Sequence, residues 1–147
     1  MTTWYFDLDG TLADLYNSEN WLENLENEKS GVFLKLPLLL DADAFKRWAV
    51  ERLASGDKIE VITWLPRGAS DEYERICADE KTEWVKKHFP FISEIHCLSY
   101  GVPKQYAIKK RSALMILIDD NEEVLQMWKT NVRRNGILAS DFINEYL

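Results

Sequence analysis

The feature that most limits what this chain can fold into is its first stretch, Thr2 to Leu8, a strand-forming run rich in aromatic residues whose end overlaps Asp7-Leu8-Asp9-Gly10-Thr11. An apolar run without alternation is the pattern of a parallel strand covered on both faces, so the chain needs helices on two sides of a sheet. Alternate side chains of a strand share a face, so Asp7 and Asp9 are expected to point into one crevice if strand geometry persists to its last residues. In open α/β sheets that crevice, outside the carboxyl ends of the strands, is where ligands bind. Two close carboxylates repel and raise each other's pKa unless a cation or a proton relieves them, so the pair asks for a metal. Taken alone, Asp-x-Asp-Gly is also an ordinary turn.

The rest of the chain repeats the strand-helix alternation. From Leu12 the spacing turns helical, with Leu12, Leu15, Tyr16, Leu22 and Leu25 near one face, and Asn24 to Gly31 closes that segment. Residues 31–40 are apolar but contain Pro37, which predicts an irregular connection. Residues 12–40 are too elaborate for a simple crossover and read as a small helical cap inserted after the first strand. Asp41 is placed to cap a helix that presents Phe45, Trp48, Ala49 and Leu53 on one face and ends at Gly56.

Ile59 to Trp64 is the second predicted strand, ending in Thr63 and a Leu65-Pro66-Arg67-Gly68 loop. The spacing predicts a helix over 78–89, with Lys81, Trp84, Val85 and His88 on one stripe and Pro90 as its stop. Ile92 to Leu98 is the third strand, and the loop after it delivers Lys104 to the start of a helix. Ala113 to Ile118 is the fourth strand, with Asp119-Asp120 at its end and Asn121 capping a helix that opens with Glu122 and Glu123. A short fifth strand at 136–139 and a final helix follow. The expected fold class is α/β: a three-layer, Rossmann-like arrangement of about five parallel strands forming a single domain over 1–147.

On that arrangement Asp7, Asp9, Thr63, Lys104, Asp119 and Asp120 all fall at, or just beyond, carboxyl ends of strands. Each has an ordinary structural role available, as turn hydroxyl, solvated charge or helix cap, but their joint placement points to a site. Lys104 is preferred over Lys109 and Lys110 because its loop opens a helix at a strand end.

A net charge of −7 argues against long nucleic acid as the main partner, because binding a phosphate backbone needs a basic face. A small anion can still bind beside a divalent metal. The longest apolar run, Leu36 to Leu40, is far short of a membrane span, and the N-terminus lacks a basic region followed by an apolar core. A cytoplasmic location is expected. Two cysteines, Cys77 and Cys97, show no metal-ligand spacing and read as reduced thiols.

Asp7-Leu8-Asp9-Gly10-Thr11, Thr63, Lys104 and Asp119-Asp120 resemble, in order, the four motifs of the haloacid dehalogenase superfamily of phosphotransferases. The resemblance implies that Asp7 is the nucleophile, forming an aspartyl phosphate, and that Asp9 is the general acid and then the base, protonated through neighbouring negative charge. It implies that Thr63 and Lys104 hold phosphoryl oxygens, and that magnesium sits on Asp7, the backbone carbonyl of Asp9 and Asp119 or Asp120. Gly10 and Thr11 would begin the turn into the cap.

Cys77-Ala78-Asp79-Glu80-Lys81-Thr82-Glu83-Trp84-Val85-Lys86-Lys87-His88 is further similar to a Cys-x-x-Glu-Lys-x-x-Trp-Val-x-x-His stretch of the 5′(3′)-deoxyribonucleotidases, as is Val32 to Pro37 to the end of their cap. That implies a nucleoside monophosphate as substrate. The segment 12–40 is shorter than that family's cap, and Trp64 follows Thr63 where a small residue is usual. Trp64 and Tyr16 are candidates for stacking on a base, whereas Trp21 reads as core and Arg67 as a solvated loop charge. Other readings are a phosphatase for another small ester or for a nucleic-acid 3′-phosphate end, and a non-catalytic binding domain on the same fold. Oligomeric state stays open, a homodimer included.

Overall fold

The computed structural model describes residues 1–147. Five strands form one all-parallel sheet: β1 (Thr2–Phe6), β2 (Lys58–Trp64), β3 (Glu94–Leu98), β4 (Leu114–Asp119) and β5 (Arg134–Leu138), in the spatial order β3-β2-β1-β4-β5. Five helices join them: α1 (Trp21–Glu26), α2 (Ala42–Ala54), α3 (Asp71–His88), α4 (Glu122–Trp128) and α5 (Ala139–Tyr146), with a 3-10 helix over Lys104–Ala107. This is a Rossmann-like α/β architecture.

The alternation of side chains across the sheet sorts the core into two layers. Trp4, Phe6, Ile59, Val61, Ile116 and Ile118 face α2, α3 and α5. Tyr5, Ile62, Met115 and Leu117 face α4 and the 3-10 helix. The larger layer is aromatic, with Phe6 edge-on to Phe45, Trp48 and Phe142 at centroid distances of 5.1, 5.7 and 5.2 Å. Because consecutive strands run outward from β1 in one direction and then restart at β4 in the other, the order reverses between β1 and β4. Asp7 and Asp119 lie at that switch point, where the connections diverge and leave a crevice.

Local chemistry sets the element ends. Asp41 caps α2 by accepting from the amides of Asp43 and Ala44, and Asn121 caps α4 through those of Glu123 and Val124. The helix of 78–89 begins a full two turns earlier than its spacing predicts. Ser70 accepts from the Tyr73 amide and opens α3, which then has Asp71, Glu72 and Glu74 in its first turn and Lys86, Lys87 and His88 in its last.

The helix expected from Leu12 does not form. The Leu8 carbonyl accepts from the amides of Thr11, Leu12 and Ala13, and Asp14 binds Asn17, so the chain coils into consecutive turns until α1 starts at Trp21. Leu12, Ala13 and Leu15 are buried all the same, but through these turns. No helix is long and apolar enough to cross a membrane.

Candidate active site

The carboxyl ends of the strands open into a cavity of about 350 Å³, walled on one side by the core loops and on the other by the 12–40 insertion. Asp7, Asp9, Thr63, Trp64, Lys104, Asp119 and Asp120 all line it. Of the sequence candidates only Gly10 is not on its wall; it makes the turn behind Asp120.

Lys104 ties the switch point together. Its Nζ donates to Asp7 Oδ1 at 2.8 Å and to Asp119 Oδ2 at 2.6 Å, with the lysine side chain almost wholly buried. An ammonium has three donors, so one remains for an incoming oxygen. Burial pulls the Lys104 pKa down, but the two carboxylates outweigh it and hold it above the ordinary lysine value.

Asp7, Asp119 and Asp120 each offer a carboxylate oxygen within 4.8 Å of the others. Burial first, then Asp7, pushes Asp119 up to about 6, and partial desolvation followed by Asp7 and Asp119 pushes Asp120 up to about 8. An all-oxygen donor set with more negative charge than Lys104 alone offsets suits a hard divalent cation such as magnesium. Asp7, Asp119 and Asp120 are the residues that would hold it. The carboxylate of Asp9 is outside this cluster.

Asp9 is held by a residue the strand-end pattern does not single out. Lys81, fully buried on α3, donates to Asp9 Oδ2 at 2.8 Å, to Thr63 Oγ1 at 2.9 Å and to the Trp64 carbonyl at 2.7 Å. Its three donors are thereby used, and the Phe33 ring of the insertion lies 4.6 Å away. The other oxygen, Asp9 Oδ1, is buried with no partner.

Asp9 has a raised pKa, and the cause differs from the one expected. Burial is the largest effect, Lys81 opposes it, and the charge of Asp7 adds a smaller upward push. Neighbouring negative charge is therefore a secondary cause. Thr63, expected to hold a phosphoryl oxygen, accepts from Lys81 at 2.9 Å and turns its own hydroxyl hydrogen to the Trp64 carbonyl at 3.4 Å.

Trp64 is fixed rather than free: its Nε1 donates to the Val102 carbonyl at 2.7 Å, Lys104 Nζ stands 5.7 Å from its ring and Tyr100 packs on it at 5.0 Å. Arg67, expected to be solvated, is exposed but lies over Tyr100 on the cavity wall. Trp21, expected as core, is only partly buried and lines the same cavity against Tyr16. The signal for Lys81 was present in the sequence: Glu80 and Lys81 share the buried stripe of α3 with Tyr73, Cys77, Trp84 and Val85, and a lysine there needs partners. Its partners lie 17 to 72 residues away.

Comparison with protein-family models and with curated proteins finds no match.

Proposed function

We propose that this protein is a magnesium-dependent phosphomonoesterase of the haloacid dehalogenase type, acting as a nucleotidase on nucleoside monophosphates through an aspartyl phosphate. The observation that carries the reading is the division of labour between two buried lysines. Lys104 is shared by Asp7 and Asp119, while Lys81 holds Asp9 apart from them with one oxygen unpartnered. Two carboxylates in one cavity thus have different environments, as a nucleophile and an acid require.

In this reading an Asp7 oxygen attacks phosphorus and the ester P–O bond breaks. A proton on the Asp9 carboxyl passes to the leaving oxygen, giving an alcohol and an acyl phosphate on Asp7. Asp9, now ionised and steadied by Lys81, takes a proton from water as the water attacks the same phosphorus. Phosphate leaves and the Asp7 carboxylate is restored. Lys104 donates to phosphoryl oxygens as charge builds on them, and the Thr63 hydroxyl adds a second donor once it turns away from the Trp64 carbonyl. Bound magnesium supplies Lewis-acid neutralisation of those oxygens and of Asp7. The turn at Leu8 and the 12–40 segment leave Asp9 only partly exposed.

The nucleotide part of the reading rests on the α3 stretch resembling the deoxyribonucleotidases and on a cavity walled by aromatic rings of a size ordinary for small-molecule sites. It is tested by phosphate release, with and without magnesium, from nucleoside 5′- and 3′-monophosphates, sugar phosphates and a 3′-phosphorylated oligonucleotide. The expected outcome is nucleotide-selective, magnesium-dependent release that Asp7→Asn abolishes. Release confined to sugar phosphates or to the oligonucleotide end would discard the nucleotidase reading and keep the chemistry. No release from any ester would discard both.

A further inference from the structure

The cavity has a second charged feature that phosphoryl transfer does not use. From the reacting end outward, one wall runs Lys104, Trp64, Tyr100, Arg67: Lys104 Nζ is 5.7 Å from the Trp64 centroid, the rings are 5.0 Å apart, and the Arg67 guanidinium carbon is 5.9 Å from the Tyr100 centroid. The Trp64 end is rigid, pinned by its bond to Val102. Of the three cations lining the cavity, Lys81 and Lys104 are each bound to carboxylates, whereas Arg67 forms no ion pair. The cavity otherwise holds an excess of acidic groups, with Glu26 joining the four aspartates.

An arginine laid on an aromatic ring is held with its donor fork available, and that fork matches phosphate oxygens. At the mouth of an acidic cavity it favours a ligand with negative charge at its outer end, and the rings beside it favour a flat aromatic body.

We propose that the Trp64, Tyr100 and Arg67 wall reads the leaving group, and that this group is a nucleoside bearing a second phosphoryl group, so that the preferred substrate is a nucleoside bisphosphate. The inference rests on the phosphatase reading above. One phosphate enters the Asp7 end and is cleaved; the other is gripped by Arg67, and the base packs against Trp64 and Tyr100, whose rings are tilted 56° to one another, stacking on one and meeting the other at its edge. Recognition is then made by loops of the core, with the insertion as the opposite wall.

The test is steady-state phosphate release, with magnesium, from a deoxynucleoside 3′-monophosphate, its 5′-monophosphate, the 3′,5′-bisphosphate, a dinucleotide with a terminal phosphate, and glycerol phosphate. The expected result is a kcat/KM for the bisphosphate about ten-fold above the better monophosphate, the size of one charge-assisted hydrogen bond, expressed mainly in KM. Arg67→Gln should bring that ratio close to one, and Tyr100→Leu should lower every nucleotide relative to glycerol phosphate. Equal turnover of monophosphate and bisphosphate by the unaltered protein, or a ratio that survives Arg67→Gln, would overturn the proposal while leaving the phosphatase reading intact. A dinucleotide preferred over the bisphosphate would overturn it in favour of a nucleic-acid end. No release from any ester, glycerol phosphate included, would overturn both.

Discussion

Lys81 is the residue on which the site's chemistry turns, because it spends its three donors on Asp9, Thr63 and a backbone carbonyl. Replacing it with methionine keeps the volume and removes the charge. Asp9 then loses the partner that orients its carboxylate, and general acid-base help of this kind is worth about 10²- to 10⁴-fold. Lys81→Met should therefore lower kcat/KM, which reports the step that expels the leaving group, by about two orders of magnitude on an alkyl phosphate and far less on p-nitrophenyl phosphate, whose leaving group needs no proton. Equal losses on both esters would show a merely structural role.

Gly10 makes a second residue-scale prediction. Its φ is +82°, and a Cβ there would lie 2.8 Å from both Asp120 Cγ and a Tyr16 ring carbon. Gly10→Ala should cost about 1–3 kcal/mol of stability and weaken magnesium binding by displacing Asp120, measurable by denaturant melts and by calorimetric titration. At this scale much of the site is legible in sequence, since Asp7, Lys104, Asp119 and Asp120 need only strand ends to be located. Lys81 is not, because a helix stripe says that a side chain is buried and nothing about the distant groups it meets.

At the scale of elements, α3 fastens the insertion to the core. Glu80 is buried and accepts from the amides of Gly31 at 2.7 Å and Phe33 at 3.2 Å. The Tyr73 hydroxyl donates to the Lys29 carbonyl, Ser70 donates to Glu28, and Trp84 Nε1 donates to the Leu36 carbonyl. The insertion is thus a fixed wall, and adjacent residues of one helix hold the insertion through Glu80 and Asp9 through Lys81. Glu80→Ala leaves two amides without their acceptor and should cost about 1–3 kcal/mol while making the 27–36 stretch the first site of limited proteolysis. Cleavage starting elsewhere would contradict this.

The strands were readable to within two residues because a parallel sheet imposes apolar runs. The insertion was not, because backbone bonds to Leu8 and Glu80, rather than helical periodicity, decide its path.

For the molecule as a whole, the reversal of strand order between β1 and β4 explains why charge converges there. Connections diverge to opposite faces of the sheet, the crevice opens, and the last residues of both strands meet in it. The cost is a set of carboxylates that Lys104 only partly neutralises, so a cation bound there should stabilise the fold by mass action. Millimolar magnesium should raise the melting temperature, chelation should reverse the rise, and Asp120→Asn should raise the metal-free value while shrinking the magnesium response. An unchanged melting temperature on adding magnesium would contradict the assignment of the cluster.

In the proposed reaction Asp7 takes up the phosphoryl group. The most direct test is to quench the protein with acid during turnover of its best ester and weigh the peptide spanning residues 1–29. One added phosphoryl group is expected, located on Asp7, formed only with magnesium and absent in Asp7→Asn. Phosphate release that continues in Asp7→Asn, with no peptide ever gaining mass, would contradict it.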